Sequence, residues 1–299
     1  MTTSAEQIRT FRGPAILSYG FRPFFLFGAL WAALALPIWL AMLLGYLTLP
    51  TAFAPIDWHA HELIFGYVPA IAAGFLLTAV PNWTGRLPVV GTPLLILFLA
   101  WLSGRFAILV SAWIGAPYAA AIDLLFLAGL GAVIAREIIA GNNTRNIKVL
   151  AVVILLWVGN ALFHFEHIFQ IDDGHGKRLG IAATIFLIQL IGGRIIPSFT
   201  RNWLARRAPG RLPTPFDRFD LGTMAMSGVA LGSWIAAPAA SATALLATLA
   251  AGLNFVRLGR WAGDRTLSES LVLILHVAYA FVPLGFLLLA MGIIRPDIV

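Results

Sequence analysis

Two imidazoles and a carboxylate stand close together at Trp58-His59-Ala60-His61-Glu62, directly before the apolar run 63–80. Ionisable groups are costly beside hydrocarbon, so a chain that sets them at a helix mouth is expected to use them to ligate a metal, move a proton or hold a substrate. A second group, His164-Phe165-Glu166-His167, lies near the end of another apolar run. His164 and His167 are three residues apart and share a helix face, as do His59 and Glu62. His59 and His61 diverge by roughly 200° on a regular helix, so one ion is not expected to take both. The ligand set that follows is one of them with His164 and His167, and Glu62 alongside. Imidazole with carboxylate suits copper, zinc, iron or nickel, and the absence of cysteine removes thiolate sites and disulfides. Spacing of this kind is a weak signal alone, because paired histidines also occur at interfaces without a ligand.

His276 stands alone inside an apolar run, about eight residues from its start. It reads equally as a functional group and as an interhelical hydrogen bond. Its expected depth differs from that of His164 by roughly 15 Å, too far for one ion, so it would serve a separate level or a large planar ligand. Arg105 and Asp123 fall at similar depths in adjacent runs. They are expected to pair, more for structure than for chemistry, because a lone charge in hydrocarbon is so unfavourable. Gly192-Gly193-Arg194 before Pro197 reads as a packing device or an anion contact. His175 reads as surface. No nucleotide-binding loop or serine-nucleophile motif is present.

The elements that must position these groups follow from composition. The chain is 60% hydrophobic and 11% charged over 299 residues, with a mean hydropathy of +0.89. A water-facing surface needs about a quarter of its residues charged, so the class is an all-α, polytopic transmembrane helix bundle. About nine spans are expected, at 24–47, 61–83, 93–113, 118–138, 149–169, 179–199, 221–237, 239–258 and 271–293. They form one transmembrane domain over 1–299, with a tail at 1–20 and a basic loop at 201–220. The tail lacks the apolar core of a cleavable signal and is expected inside. With the N-terminus inside, sixteen of the twenty Lys and Arg fall at inner segments; Lys177, Arg178 and Arg295 fall outside and Arg105 within. The net charge of +7 therefore reports topology and headgroup contact, not nucleic-acid binding.

Five stretches, in order and spanning nearly the whole chain, resemble the NnrS family of bacterial inner-membrane proteins. They are Gly20-Phe21-Arg22-Pro23-Phe24-Phe25; Trp58-His59-Ala60-His61-Glu62 with Phe65-Gly66; the run 73–85 ending Val80-Pro81-Asn82-Trp83-Thr84-Gly85; Gly193-Arg194-Ile195-Ile196-Pro197-Ser198-Phe199-Thr200-Arg201-Asn202; and Leu275-His276-Val277-Ala278-Tyr279 with Pro283-Leu284-Gly285. The resemblance implies a multi-pass inner-membrane protein that binds haem and copper and belongs to the response to nitric oxide and nitrosative stress in denitrifiers and pathogens. It carries over to His59, His61, Glu62, Arg194 and His276. Combined with depth and chemistry, it suggests metal at His59, His61, His164, His167 and Glu62, and a larger cofactor at His276, His61 and Arg194. Family members usually continue into further spans, so this chain is expected to be a member without the usual C-terminal segment. Whether the protein is an enzyme stays open. The rival functions are a transporter or channel with a His/Glu/Asp proton relay, and a membrane scaffold for a partner enzyme.

Overall fold

The computed structural model describes residues 11–207 and 209–297, and among these the regular structure is all helical. Nine long helices follow one another there: α1 Phe21–Leu43, α2 Pro55–Thr84, α3 Thr92–Leu109, α4 Ala116–Ala140, α5 Ile147–Ile168, α6 His175–Leu204, α7 Arg218–Ala236, α8 Ser241–Gly259 and α9 Ser270–Ile294. Eight are long and apolar enough to cross a bilayer. The other, α7, carries Arg218, Asp220, Thr223, Ser227 and Ser233. The chain is a multi-pass membrane protein, and its many exposed Leu, Ile and Phe side chains are lipid-facing in that setting.

Helix boundaries depart from the sequence expectation where a proline opens a helix. α1 starts at Phe21, not Phe24, because Pro23 sits in the first turn, where no N–H is needed. α2 begins at Pro55 for the same reason, so Trp58 to His61 are helical rather than a loop mouth. The basic segment at 201–220 is shorter than expected, since α6 runs to Leu204 and α7 starts at Arg218. Residues 1–10 of the expected tail lie outside the described residues.

The chain forms two compact units, one up to Ile181 and one from Ala182. In the first, α1 packs on α2, α2 on α4, and α4 on both α3 and α5. Its core near the histidines is aromatic, with Phe53, Trp58, Phe65 and Phe163 buried together. In the second, α8 packs against α7 and α9. There Ala244, Ala247, Ala250 and Ala251 of α8 make a small-residue face that lets Tyr279 and Phe286 of α9 close in.

One irregularity in α2 matters for the site. Residues Glu62–Tyr67 form a π-helical turn between two α-helical segments. Pro69 has no N–H for the carbonyl four residues back and crowds it, which favours a widened turn just before it. The carbonyl of Gly66, within that turn, accepts from the Trp101 indole N–H at 2.9 Å.

Candidate metal centre

Six polar side chains from four helices meet in the first unit: His61 and Glu62 of α2, Arg105 of α3, Asp123 of α4, and Asn160 and His164 of α5. Each is no more than 3% exposed. The carboxylate of Asp123 is the hub. One oxygen accepts from Arg105 Nη2; the other accepts from Asn160 Nδ2 at 2.7 Å and lies 3.2 Å from His164 Nε2 and 3.3 Å from His61 Nε2. Glu62 accepts from Arg105 Nη1 at 2.7 Å and lies 3.1 Å from His61 Nδ1. Arg105 can reach both acids because Gly66 has no side chain: a methyl there would sit 2.2 Å from Nη1. The π turn and Gly66 together therefore open the space that the guanidinium fills.

The arrangement constrains protons. Asn160 donates to Asp123, which leaves its Oδ1 facing His61 Nε2 at 3.2 Å. Both ring nitrogens of His61 therefore face acceptors: Glu62 on one side, Asn160 and Asp123 on the other. A neutral imidazole has one N–H and cannot satisfy both. The charge count agrees. Glu62 and Asp123 bring two negative charges and Arg105 one positive, so the buried cluster needs one more positive charge, a proton or a metal cation.

For a cation the donor set is ready. One ligand atom each from His61, Asp123 and His164 lie within 4.8 Å of one another. The Nε2 atoms of both histidines converge on the same Asp123 oxygen, while His61 Nδ1–H would donate to Glu62. A carboxylate fixing the second nitrogen of a metal-bound histidine is a common way to set its tautomer.

The other expected ligands stand apart from this group. His59 is stacked on Trp39, ring centres 3.9 Å apart and planes 18° apart, which is the divergence from His61 that helical spacing requires. His167 packs on Phe53 at 4.2 Å and lines a cavity of about 330 Å³ with Asp57, Glu166 and Lys177. Phe53 also stacks on His61, ring centres 5.6 Å apart, and so lies between that cavity and the buried cluster. Glu166 accepts from the backbone N–H groups of His175 and Gly176, at 2.7 and 3.1 Å, and so caps α6. His175 is half exposed beside it.

In the second unit His276 is 6% exposed. Its Nε2 lies 2.8 Å from Thr200 Oγ1, whose hydroxyl donates to Ile196 O at 2.8 Å, so His276 is the donor to Thr200. Its other nitrogen, Nδ1, is buried without a hydrogen-bond partner. A methyl on Gly263 would lie 2.6 Å from that atom. Neither nitrogen has an open side for a planar macrocycle, so this arrangement does not fit haem at His276. Arg194 is exposed.

Sequence reasoning gives two members of this cluster too little weight. Asp123 is paired with Arg105 as expected, but it also gathers both histidines. Asn160 escapes spacing arguments altogether; its one signal is an amide in the middle of an apolar helix.

No curated protein and no solved structure matches the chain. The family model described as NnrS protein matches residues 15–299. The chain belongs to the NnrS family.

Proposed function

We propose that this protein is a copper-binding protein of the bacterial inner membrane, holding the ion at His61, Asp123 and His164 and acting in the response to nitric oxide. The observation that carries the reading is His61 Nε2: it faces only acceptors, inside a cluster short of one positive charge. His164 completes the donor set, Glu62 holds His61 in the correct tautomer, and Arg105 bridges the two carboxylates so that they stay in place when the ion leaves. Copper bound there would supply Lewis acidity and one-electron chemistry toward a small ligand such as nitric oxide. The Phe53 ring and the packed aromatics around it keep bulk water from the donors. Family resemblance also implies haem; the function proposed rests on the metal ion alone.

Purified protein should hold about one copper per chain, and His61→Ala, Asp123→Asn and His164→Ala should each lower that content. Because the ion displaces a proton from the cluster, binding should release protons and weaken as pH falls. A protein that retains no copper or other transition metal, with all three variants indistinguishable from wild type, would falsify the reading. The same His61 geometry favours one second reading, a proton relay in a transporter. That reading requires proton flux across liposomes by metal-free protein, abolished by Asp123→Asn.

A further inference from the structure

At the basic end of the second unit, the last turn of α6 and the first turns of α9 frame an open groove of about 550 Å³. Its walls are Phe199, Trp203, Leu271 and Leu275, and its rim is Arg206 and Arg207. Leu271 is 78% exposed and Phe199 is 53% exposed. Among the described residues neither rim guanidinium meets a carboxylate. Arg207 lies over the Trp203 ring, 4.8 Å from its centre. The nearby carboxylate of Glu269 accepts from the Trp203 indole N–H at 3.0 Å, which leaves the rim with net positive charge. The amides that open α9 have no side-chain cap, adding the positive end of a helix.

From this pairing of an apolar trough with an unmatched cationic rim, we infer that the groove is a binding site for one anionic phospholipid, its phosphate at Arg206 and Arg207 and an acyl chain along Leu271, Leu275 and Phe199. The trough runs into the lipid-facing side of α9, where Ile274, Phe281 and Leu288 are also exposed. The rim lies where both helices end, which is headgroup level. A small soluble anion would use the rim and leave the trough uncovered. A phospholipid matches both parts, and Trp203 at their junction is the usual interfacial residue. The site is independent of the metal cluster.

Native mass spectrometry of the full chain in detergent, titrated with phosphatidylglycerol or phosphatidylcholine, tests this. Phosphatidylglycerol should remain bound and phosphatidylcholine should bind far less. Both arginines are exposed, so the double variant Arg206→Gln, Arg207→Gln should fold; its affinity for phosphatidylglycerol should fall roughly thirtyfold, about fivefold per arginine. Leu275→Trp fills the trough with both arginines intact and should also weaken binding. Equal binding of the two lipids, full affinity in the double variant, full affinity in Leu275→Trp, or displacement of the lipid by inorganic phosphate would each overturn the assignment.

Discussion

The two units each bury an arginine against a glycine, but the charges around the two arginines balance differently. Arg105 fills the space over Gly66; Arg257, 1% exposed, fills the space over Gly193, where a methyl would meet Nη2 at 2.1 Å. Arg257 donates to Asp220 at 2.9 Å and to Tyr279 Oη at 2.9 Å, and Tyr279 in turn donates to Asn254 Oδ1 at 2.9 Å. That network has one buried cation and one buried anion, and the second Asp220 oxygen lies 3.6 Å from the partly exposed Arg260, which is itself paired with Asp217, so the charges balance. It also lies two residues from the end of α8, within reach of the headgroups. The Arg105 cluster has two anions for one cation, and Asp123 lies about 10 Å into α4. Balanced charge near an interface is sufficient to hold helices. Unbalanced charge at depth calls for one more positive charge, a proton or a cation, and that is the ground on which the first cluster is proposed as the metal site.

The largest effect should come from removing either arginine. Arg105→Met takes the shared cation from Glu62 and Asp123, and Arg257→Met leaves Asp220 with only Arg260 at 3.6 Å; each should cost about 3–5 kcal/mol, read as a large drop in melting temperature in detergent. If the first cluster is the unbalanced one, excess copper should restore part of the stability lost in Arg105→Met and none of that lost in Arg257→Met. Equal behaviour of the two variants would break the distinction.

A metal assay divides the clusters again with a smaller effect on folding. Glu62→Gln keeps the shape of the side chain but weakens its hold on His61, so copper affinity should fall about 10- to 100-fold. Asn254→Ala removes a partner of Tyr279 in the second network and should lower stability by about 1–3 kcal/mol with copper content unchanged. Copper loss in Asn254→Ala and none in Glu62→Gln would reverse the assignment of roles.

Much of the first unit was legible in sequence because intramembrane charge is rare enough to be counted. Arg105, Asp123, Glu62 and the histidines all stand out from apolar runs, and the pairing of Arg105 with Asp123 follows from depth. What spacing could not give was which histidine of each pair points inward. That depends on the π turn at Glu62–Tyr67, a local response to Pro69, and on where α5 lies beside α4. The second network was hidden for a different reason. Arg257 reads as one more positive residue of a loop, since a helix-end arginine and a loop arginine satisfy the same topological rule. Only the packing of Gly193 against it reveals a buried cation.

Access offers a kinetic contrast between the clusters. Phe53 is 5% exposed and separates the cavity at His167 from His61. Phe53→Leu removes part of that ring while keeping an apolar side chain. Copper should then load faster in stopped-flow mixing, with the final amount unchanged. An unchanged loading rate would mean that the ion reaches the donors by another route.

The smallest expected effect tests whether charge in the second unit is purely architectural. Asp217 caps α7, accepting from the N–H groups of Phe219 and Asp220 at 2.9 and 3.3 Å, while Asp220 accepts from the Asp217 N–H at 3.2 Å. The Arg260 guanidinium, 2.5 Å away, and those amides hold the Asp217 carboxyl below the usual carboxylate range. A lowered value in the folded state means that the stabilisation is complete above the ordinary carboxylate pKa and is lost as pH falls through the folded value. Hydrogen exchange over the first turn of α7 should therefore speed up in acid beyond its intrinsic pH dependence. Asp217→Asn keeps an acceptor for the helix but has no charge to lose, so its protection should show no such step. Copper content at neutral pH should be the same in this variant as in the unaltered protein. A change in copper on Asp217→Asn would tie the second unit to the proposed metal site and end the separation of roles between the two clusters.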